Sequence, residues 1–419
     1  MKATNTQKIL VIGYVWPEPA SSAAGCHMMS ILRLFKQQKW QVEFASPAQD
    51  SDHAIDLAQE GISRQSIALN CDSFDVYIEQ FQPDIVLFDR FMMEEQFGWR
   101  VEKNCPNALK ILDTEDLQCL RHARHLAYKN NCEMNQQDLF SDVAKREIAA
   151  ILRCDFSLII SSVELQLLID TFKVDPGLLH HLPFMVDLEN LPHKTPTFSE
   201  RQHFMSIGNF RHAPNWDMVL YLQSLWPAIR KKMRKELPNA ELHIYGAYPP
   251  PKATALNNPK TGFLIKGWAE DVYTTMERYR LCLAPIRFGA GIKGKLLDAM
   301  ISQTPSITTS LGSEGMHQDE PWPGVVTDNM TDYVDSTVRL YDDENEWIKA
   351  QQYGVDLLHA RYDSQRLGVE LVSKITHTTD NLKQHRLNNF TGEMLKHHTM
   401  ASTKYMSQWI AAKNANGCD

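Results

Sequence analysis

One stretch of the chain, residues 284–315, restricts the fold more than any other. It reads APIRFGAGIKGKLLDAMISQTPSITTSLGSEG, in which an apolar run leads into a glycine-rich loop, a segment with helical spacing and a second apolar run. This order predicts a strand, a loop, a helix and a parallel strand, the repeating unit of layered α/β proteins. The glycines at positions 289, 291 and 294 can take positive φ angles and let backbone N–H groups approach an anion.

Charged residues around this loop indicate an anion site. Lys293 and Lys295 follow the glycines, and the start of the helix adds free N–H donors and the positive end of the helix dipole. Asp298 lies one helical turn beyond Lys295 on the same face, where its carboxylate can accept hydrogen bonds from paired sugar hydroxyls. The unit is therefore expected to hold two adjacent phosphates and a ribose. The structural alternative is an exposed lysine–aspartate pair beside an ordinary loop.

The same glycines spell G-x-G-x-x-G, the spacing found in dinucleotide-binding loops. Such a loop usually belongs to the first βα unit of its domain, and an acid follows about 20 residues later at the end of the next strand. Here the unit comes late in the second half of the chain, and the next strand, predicted over 306–310, ends in serine and leucine. A nucleotide-dependent oxidoreductase that uses the Gly289–Gly294 loop is kept as an alternative function.

The composition is that of an ordinary soluble protein with room for two domains. The chain has 419 residues, of which 43% are hydrophobic and 22% are charged, and its formal net charge is −8. Neither half has the basic excess expected of a nucleic-acid-binding protein, and no run of about 18 apolar residues predicts a transmembrane helix. The eight cysteines have no metal-ligand spacing, which fits free thiols in a reducing cytosol.

The sequence therefore predicts a cytoplasmic protein that binds neither nucleic acid nor a metal ion. A peripheral contact with the inner membrane face is left open, because residues 121–129, RHARHLAYK, form a basic helix that can touch anionic lipid. The alternative is that this helix is a solvated surface.

Short apolar segments alternate with segments of helical spacing along both halves, which predicts two doubly wound sheets of parallel strands. In the first half, strands are predicted over 8–14, 41–47, 84–89, 109–113 and 156–161, with helices over 25–39, 91–103 and 141–153. In the second half, strands are predicted over 203–207, 241–245, 263–266, 281–285, 306–309 and 325–327, with helices over 215–235, 271–280 and 293–302.

A polar stretch, residues 187–202, separates the two halves. It has no periodicity and contains two prolines, so it is predicted to be the domain linker. The predicted units are a first domain over 1–190, a second domain over 200–375 and a helical tail over 376–419. The tail has helical spacing around Met394–Trp409, and either packs back on the first domain or forms a loosely held extension.

Four segments of the second half together resemble the nucleotide-sugar-binding half of GT-B glycosyltransferases of the GT4 type, the glycosyl transferases group 1. They are SIGNFRHAPNWD at 206–217, ELHIYGA at 241–247, IKGWAEDV at 265–272 and APIRFGAGIKGKLLDAM at 284–300. Their order and spacing fit that family over most of the second domain. The first half resembles the family through its early glycine loop and its Rossmann-like order.

The resemblance implies an α/β fold of two Rossmann-like, doubly wound domains that face a central cleft. It implies a hexosyltransferase that moves a sugar from a UDP- or GDP-linked nucleoside diphosphate sugar to a hydroxyl of a carbohydrate, lipid-linked or protein acceptor, with retention of anomeric configuration. The nucleotide sugar is a co-substrate, and no other cofactor is expected. Polysaccharide or glycoconjugate synthesis would be the role. A non-catalytic nucleotide-sugar-binding protein with this fold is a further alternative.

The resemblance places the donor mainly on the second domain. Arg211 and Lys295 would contact the diphosphate and stabilise it as it leaves, so both are candidate catalytic residues. Asp298 stands where the family usually has a glutamate that binds the ribose, and Ala290 stands where many members carry another glutamate. The remaining donor-binding candidates are Gly267 and Trp268 near the nucleobase, Gly291, Ile292 and Lys293 in the loop, and Gly25 on the opposite wall.

The acceptor-side candidates follow the strand predicted over 109–113. Glu115 and Asp116 lie at the carboxyl edge of the sheet, where α/β folds bind ligands, and several GT4 relatives have a histidine–aspartate pair there. Either carboxylate could hold a sugar hydroxyl, orient the acceptor or act as a catalytic base. Capping of the next helix by Thr114 or Asp116 is the structural alternative. Asp89, at the end of another strand, and His27, close to Gly25, are secondary candidates.

Overall fold

A computed structural model describes residues 6–191, 195–233 and 239–415. Its sheets are built from short apolar runs, which suit strands that are covered on both faces, and their strand ladders are parallel. The protein therefore has an α/β fold with two doubly wound parallel sheets, and the fold class predicted from the sequence is confirmed.

The first sheet and its helices come from the first part of the chain. The strands are β1 (Lys8–Ile12), β2 (Gln41–Ser46), β3 (Ser63–Ser66), β4 (Ile85–Asp89), β5 (Leu109–Asp113), β6 (Phe156–Ile159) and β7 (Leu179–His181). The helices are α1 (Ala23–Gln37), α2 (Ser73–Phe81), α3 (Phe91–Asn104), α4 (Gln118–Lys129), α5 (Gln136–Leu139), α6 (Asp142–Arg153) and α7 (Ser162–Asp170). Within the described residues the strand order is β3-β2-β1-β4-β5-β6-β7.

The second sheet and its helices follow. The strands are β8 (Gln202–Ile207), β9 (Leu242–Tyr245), β10 (Phe263–Gly267), β11 (Tyr279–Ala284), β12 (Ser306–Thr308) and β13 (Gly324–Val326), in the order β10-β9-β8-β11-β12-β13. The helices are α8 (Ala213–Met233), α9 (Pro251–Thr254), α10 (Val272–Met276), α11 (Gly294–Ile301), α12 (Ser310–Ser313), α13 (Met330–Asp342) and α14 (Glu344–Arg361). The chain ends with α15 (Ser364–Asp380), α16 (Leu382–Asn388) and α17 (Phe390–Ala415). In the part of the chain that the structure describes, no helix is long and apolar enough to cross a membrane.

The structure differs from the predicted elements in several places, and α13 and α14 were not among the predicted helices. β3 reads SRQS and β7 reads LHH, and neither has the apolar run that would have predicted a strand. The helix predicted over 271–280 is wrong beyond Met276, because Tyr279 begins the buried strand β11. Arg280 is tolerated inside that strand because its guanidinium donates to the backbone carbonyls of Arg201 and Tyr341. Residues 234 and 235 of the helix predicted over 215–235 lie outside the described residues.

The chain returns to the first sheet before residue 376, where the sequence placed the start of the tail. Leu367, Leu371 and Ile375 of α15 are buried in the same core cluster as Ile9 of β1. The two chain segments that connect the sheets run side by side, since Val186 and Asp363 form a parallel bridge. We call residues 6–186 together with 364–415 the first lobe, and residues 195–362 the second lobe.

The last two helices cover the outside of the first lobe. α17 packs against α3 and α6. Arg386 of α16 donates to the Asp155 carboxylate at 2.7 and 2.9 Å and also to the backbone carbonyls of Pro106 and Ala108. Asp155 is buried, and one of its oxygens also accepts from the N–H of Lys110. Arg386 therefore supplies the positive charge that balances a buried carboxylate.

Replacing Arg386 with alanine would leave Asp155 buried without this partner. We expect Arg386→Ala to lower the free energy of unfolding of the first lobe by about 3 kcal/mol, because removing one member of a buried ion pair costs on the order of 3–5 kcal/mol. Urea unfolding followed by circular dichroism measures the change. The exposed Lys383 of the same helix supplies the control, since Lys383→Ala should cost less than about 0.5 kcal/mol. Equal effects of the two changes would contradict the role given to Arg386.

Candidate functional site

Loops at the carboxyl ends of the two sheets face each other and form the candidate site. The start of α11 in the second lobe meets the start of α1 in the first, so closely that a Cβ atom on Gly294 would lie 2.4 Å from the Cβ atom of Ala23. A Cβ atom on Gly291 would lie 2.9 Å from that of Asp116. Both positions need glycine because the opposite lobe leaves no room for a side chain. The positive ends of two helix dipoles therefore meet in one narrow cleft.

Lys295 lies in the first turn of α11 with its side chain enclosed by the cleft. Its ammonium group donates to Oδ1 of Asn215 at 2.5 Å, and the Asn215 amide is held by the carbonyl of Asn209. Burial lowers the pKa of Lys295 to about 8. In the described structure no side chain caps α11, so its first N–H groups can receive an anion. Asn215 was not predicted from the sequence because its neutral amide does not by itself indicate an anion site.

Asp298 lies one turn further along α11 and faces the same part of the cleft. Burial raises the pKa of Asp298 to about 7, and the positive charge of Lys295 opposes this rise. Burial and the charge of Asp298 also raise the pKa of Cys26 in α1 and that of Tyr273. Of the two side chains predicted to share one helix face, Lys295 contacts Asn215 of its own lobe, whereas Asp298 lies close enough to Cys26 of the first lobe to raise the pKa of that thiol.

Arg211 lies at the mouth of the cleft with an exposed side chain. Its guanidinium carbon is 3.6 Å from the ring centroid of Tyr248, a close cation–π contact. The Tyr248 hydroxyl donates to Glu18 of the first lobe at 3.2 Å, and the same carboxylate accepts from Ser21 and Ser51. In this conformation Arg211 is stacked on a residue that joins the two lobes.

Gly267 is the last residue of β10, and Trp268 follows it at the same mouth. Gly267 has a φ angle of 77°, and a Cβ atom on it would meet nothing within 4 Å, so open space lies beside its backbone. The indole N–H of Trp268 donates to the carbonyl of Ala20 in the first lobe at 2.9 Å. Its ring centroid lies 4.8 Å from that of His53. Trp268 therefore links the two lobes, and the role of Gly267 and Trp268 near a nucleobase stays a prediction.

The glycine loop is held in shape from both lobes. The N–H of Gly291, whose φ angle is 64°, donates to Glu164 of the first lobe at 2.7 Å. The ammonium group of Lys293 donates to the carbonyls of Gly291 and Ala290 at 2.6 and 3.3 Å, and burial lowers the pKa of Lys293. Ile292 is buried in the core of the second lobe. In this conformation, the Gly291 N–H and the Lys293 ammonium are both paired within the protein.

Glu115 and Asp116 both follow β5 but have different surroundings. Glu115 is buried with a φ angle of 60°, and burial together with Asp113 raises its pKa. A positive φ in a residue with a side chain is strained, and such strain is often found at functional sites. Asp116 instead receives hydrogen bonds from Arg121 at 2.6 and 2.7 Å. The alternative that Thr114 or Asp116 caps α4 is wrong, because Thr114 donates to the carbonyl of Leu158 and the first N–H groups of α4 donate to Glu147.

A buried cluster surrounds Glu115. Burial and the neighbouring Asp89 raise the pKa of Asp113, and Arg90 lies 3.7 Å from Asp89. The His27 ring is 3.8 Å from Asp113, and neither of its nitrogens has a hydrogen-bond partner among the described residues. Burial lowers the pKa of His27 to about 4, so the ring is neutral at pH 7. Within the described residues, no group of three or more His, Cys, Asp or Glu side chains is arranged to hold a metal ion.

The basic helix noted in the sequence, α4, turns one face to the second lobe. Arg124 forms an ion pair with Glu314 through hydrogen bonds of 2.7 and 2.8 Å. The rings of His125 and Tyr128 stack on Phe288, with centroid distances of 4.5 and 4.9 Å. This face of α4 is therefore part of the interface between the lobes, where its side chains are half-buried.

Asp217 of the second lobe completes this interface. Its carboxylate accepts from the Tyr128 hydroxyl at 2.8 Å and from Arg287 at 2.7 and 2.9 Å. Arg287, one of the cations near the glycine loop, is therefore engaged by a carboxylate rather than turned to the cleft. The sequence could not show this because Asp217 is 70 residues away along the chain.

Gly25 lies in the first turn of α1. Its N–H donates at 3.1 Å to the hydroxyl of Ser22, the residue that caps the helix, so this N–H is not free for a diphosphate. A Cβ atom on Gly25 would come within 2.4 Å of the backbone of Glu18. The glycine is thus needed for the approach of residue 18, whereas the start of α1 does face α11 as expected.

One comparison with known proteins concerns the second lobe. Residues 201–343 match the family model described as Glycosyl transferases group 1, a span that contains Arg211, Lys295 and Asp298. A comparison with curated proteins finds no match. The family match and the fold support a sugar-transferring enzyme, and the narrower GT4 assignment remains a prediction.

Solved structures of low identity share the two-lobed fold. Alr3699/HepE from Anabaena, in complex with UDP, is 10% identical, with a TM-score of 0.65 over 88% of this chain and 100% of that one. Sucrose-phosphate synthase from Thermosynechococcus elongatus is 14% identical, with a TM-score of 0.63 over 88% of this chain and 98% of the synthase. A mutant of TarM from S. aureus is 14% identical, with a TM-score of 0.56 over 73% of this chain, which spans 58% of TarM. The fold is therefore GT-B, as predicted.

Asp217 should contribute more to stability than an exposed acid of the same lobe. We expect Asp217→Ala to lower the free energy of unfolding by about 1–2 kcal/mol, because Tyr128 and Arg287 lose the acceptor that they share. The loss stays small because Arg287 is partly exposed and water can replace its partner. Thermal unfolding followed by circular dichroism should show that the melting temperature falls by about 2–4 °C for each kcal/mol of stability lost. Asp335→Ala, which removes an exposed ion pair with Lys232, is the control and should change the melting temperature less. A control effect as large as that of Asp217→Ala would contradict the assignment.

Proposed function

We propose that this protein transfers a glycosyl group from a nucleoside diphosphate sugar to an acceptor hydroxyl. One observation carries the proposal: the enclosed ammonium group of Lys295 is hydrogen-bonded to the neutral amide of Asn215, beside a helix start without a side-chain cap. Enclosing a cation whose close partner is neutral costs free energy. A diphosphate would supply the negative charge that Lys295 lacks and would accept hydrogen bonds from the helix N–H groups. The match over residues 201–343 supports the same ligand class.

The proposed reaction breaks the bond between the anomeric carbon and the diphosphate oxygen. The diphosphate leaves with the bonding electron pair, so negative charge grows on it in the transition state. Lys295 and the start of α11 lie where they can stabilise that charge, and Arg211 can join them by turning away from Tyr248. Asp298 would accept hydrogen bonds from the ribose, and the space beside Gly267 would take the base.

The acceptor hydroxyl would lose its proton to the first lobe. Of the two acids predicted after β5, Glu115 is the candidate proton acceptor, because burial and the charge of Asp113 raise its pKa and so favour its binding a proton. Asp116 is hydrogen-bonded to Arg121, which fits a role in positioning. Closure of the lobes would keep water, a competing acceptor, away from the donor.

Finer points of the proposal rest on the resemblance to GT4 enzymes. We infer a hexosyltransferase that uses a UDP- or GDP-linked sugar, retains anomeric configuration and relies on fixed positive groups in place of a metal ion. The acceptor would be a carbohydrate, a lipid-linked sugar or a protein, in polysaccharide or glycoconjugate synthesis.

Release of UDP or GDP from a panel of sugar nucleotides tests the proposal directly. The protein should release one of the two nucleotides from at least one donor sugar, to water when no acceptor is present. Thermal stabilisation by the same nucleotide, and not by NAD(P)H, should accompany the turnover. Stabilisation by NAD(P)H would favour the oxidoreductase, and nucleotide-sugar binding without any turnover would favour a non-catalytic binding protein.

Removing the ammonium group of Lys295 should abolish most of this activity. We expect Lys295→Ala to reduce kcat/KM on the order of 100- to 1,000-fold, because one preorganised charge on the leaving group is lost. Steady-state kinetics and nucleotide titration measure the effect, and an unchanged circular dichroism spectrum would show that the fold is intact. Lys231→Ala, on the exposed face of α8, is the matched control and should behave like the wild type. Near-normal kinetics of Lys295→Ala would remove Lys295 from the site.

Nucleotide affinity should depend on pH through Lys295. Burial lowers its pKa to about 8, so the free protein loses this charge as the pH rises through about 8. A bound diphosphate favours the protonated form, so affinity should be highest below this pH and fall by up to about tenfold per unit above it. Calorimetric titration with UDP or GDP between about pH 7 and 9.5 measures this trend. Lys295→Arg should flatten it, and constant wild-type affinity over the range would contradict the assignment.

A further inference from the structure

Glu164 is a buried carboxylate that was not predicted from the sequence to belong to the site. Its side chain is fully buried, near the start of α7 in the first lobe. Ser161 and Glu164 have the S-x-x-E spacing of a capping box, in which the glutamate would accept from the N–H of Ser161. The structure shows no such bond, and Ser161 makes no side-chain cap. The carboxylate is turned instead toward two loops of the cleft.

One oxygen of Glu164 connects loops from the two lobes. Oε1 accepts from the N–H of Gly291 in the second lobe at 2.7 Å and from the N–H of Leu117 in the first lobe at 3.2 Å. Leu117 directly follows Glu115 and Asp116, the two acids on the acceptor side. Gly291 belongs to the loop that leads to Lys295. A single buried group therefore fixes the spacing between the acceptor-side acids and the donor-side cations.

Several interactions fix the position of Gly291 in its contact with Glu164. Gly291 is fixed on both sides, since its N–H donates to Glu164 and its carbonyl accepts from Lys293 at 2.6 Å. The left-handed φ of 64° at Gly291, together with the nearby Cβ atom of Asp116, excludes any other residue there. Burial and the charge of Asp116 raise the pKa of Glu164, while the two backbone N–H groups and Lys293 oppose the rise.

We propose that Glu164 is a positioning residue that holds the glycine loop and the acceptor-side loop in register when the lobes close. The inference rests on the proposed function only for its effect on catalysis, because the contact itself can be observed without a substrate. A 1 Å error in the alignment of reacting groups costs on the order of 100-fold in rate, so loss of this contact should lower kcat. Donor affinity should be largely kept, since the Lys295–Asn215 contact does not involve Glu164.

Glu147 provides a matched control. It is equally buried in the first lobe, and its carboxylate also accepts two backbone N–H bonds, from Gln118 and Cys119 at 2.9 Å each. Both of its partners belong to α4 of the same lobe, so Glu147 does not reach the glycine loop through these bonds. Glu147→Ala should therefore destabilise the first lobe without a specific effect on Gly291.

Hydrogen–deuterium exchange of the Gly291 and Leu117 amides tests the contact in the protein without nucleotide. Both amides should be protected in the wild type. Glu164→Ala should speed their exchange on the order of tenfold, whereas Glu164→Gln, which keeps an acceptor oxygen, should restore most of the protection. Glu147→Ala should leave Gly291 exchange unchanged. An unprotected Gly291 amide in the wild type overturns the proposal even if Glu164→Ala does not fold.

Kinetics then separate the positioning role from a structural one. Glu164→Ala should lower kcat about 10- to 100-fold while the dissociation constant of UDP or GDP changes less than about threefold, and Glu164→Gln should recover most of the rate. Loss of protection at Gly291 with unchanged kcat would refute the catalytic part of the inference. If no variant, including the wild type, transfers sugar, the exchange result still decides whether Glu164 joins the two loops, and the proposed function fails separately.

Discussion

The contact between the starts of α1 and α11 is the constraint on which the rest of the site depends. Ala23 and Gly294 touch there, so the positive ends of two helix dipoles meet in a space from which water is largely excluded. Burial in this space lowers the pKa of both Lys293 and Lys295. Nearby positive groups repel one another more strongly in a low dielectric, and the carboxylates of Glu164 and Glu314 beside Lys293 and of Asp298 beside Lys295 offset part of this cost. We propose that a bound diphosphate would offset the rest.

The lobes are held in this position by polar contacts on both sides of the cleft. Arg124 pairs with Glu314 on one side of the cleft, and Tyr248 donates to Glu18 on the other. The chain crosses between the lobes at two adjacent points, where Val186 pairs with Asp363. A hinge at these crossings, with polar contacts at the rim, is what an enzyme requires if it must open to admit a donor and close to exclude water.

Much of the fold could be predicted from the sequence, because buried parallel strands are short apolar runs and glycine loops mark their carboxyl ends. The same reasoning found Lys295 and Asp298, which are neighbours along one helix. It did not find Asn215 or Glu164, whose contacts depend on loops that are 80 and 127 residues away. It also treated residues 121–129 as a surface, since a basic helix that packs on another lobe through stacked rings looks the same in sequence as a solvated one.

The central claim is that this cleft binds a diphosphate at the start of α11. An X-ray structure of the protein with UDP or GDP tests it most directly. The account predicts phosphate oxygens within hydrogen-bonding distance of the Lys295 ammonium and of the first N–H groups of α11. A nucleotide bound elsewhere, with Lys295 still donating only to Asn215, would contradict the account.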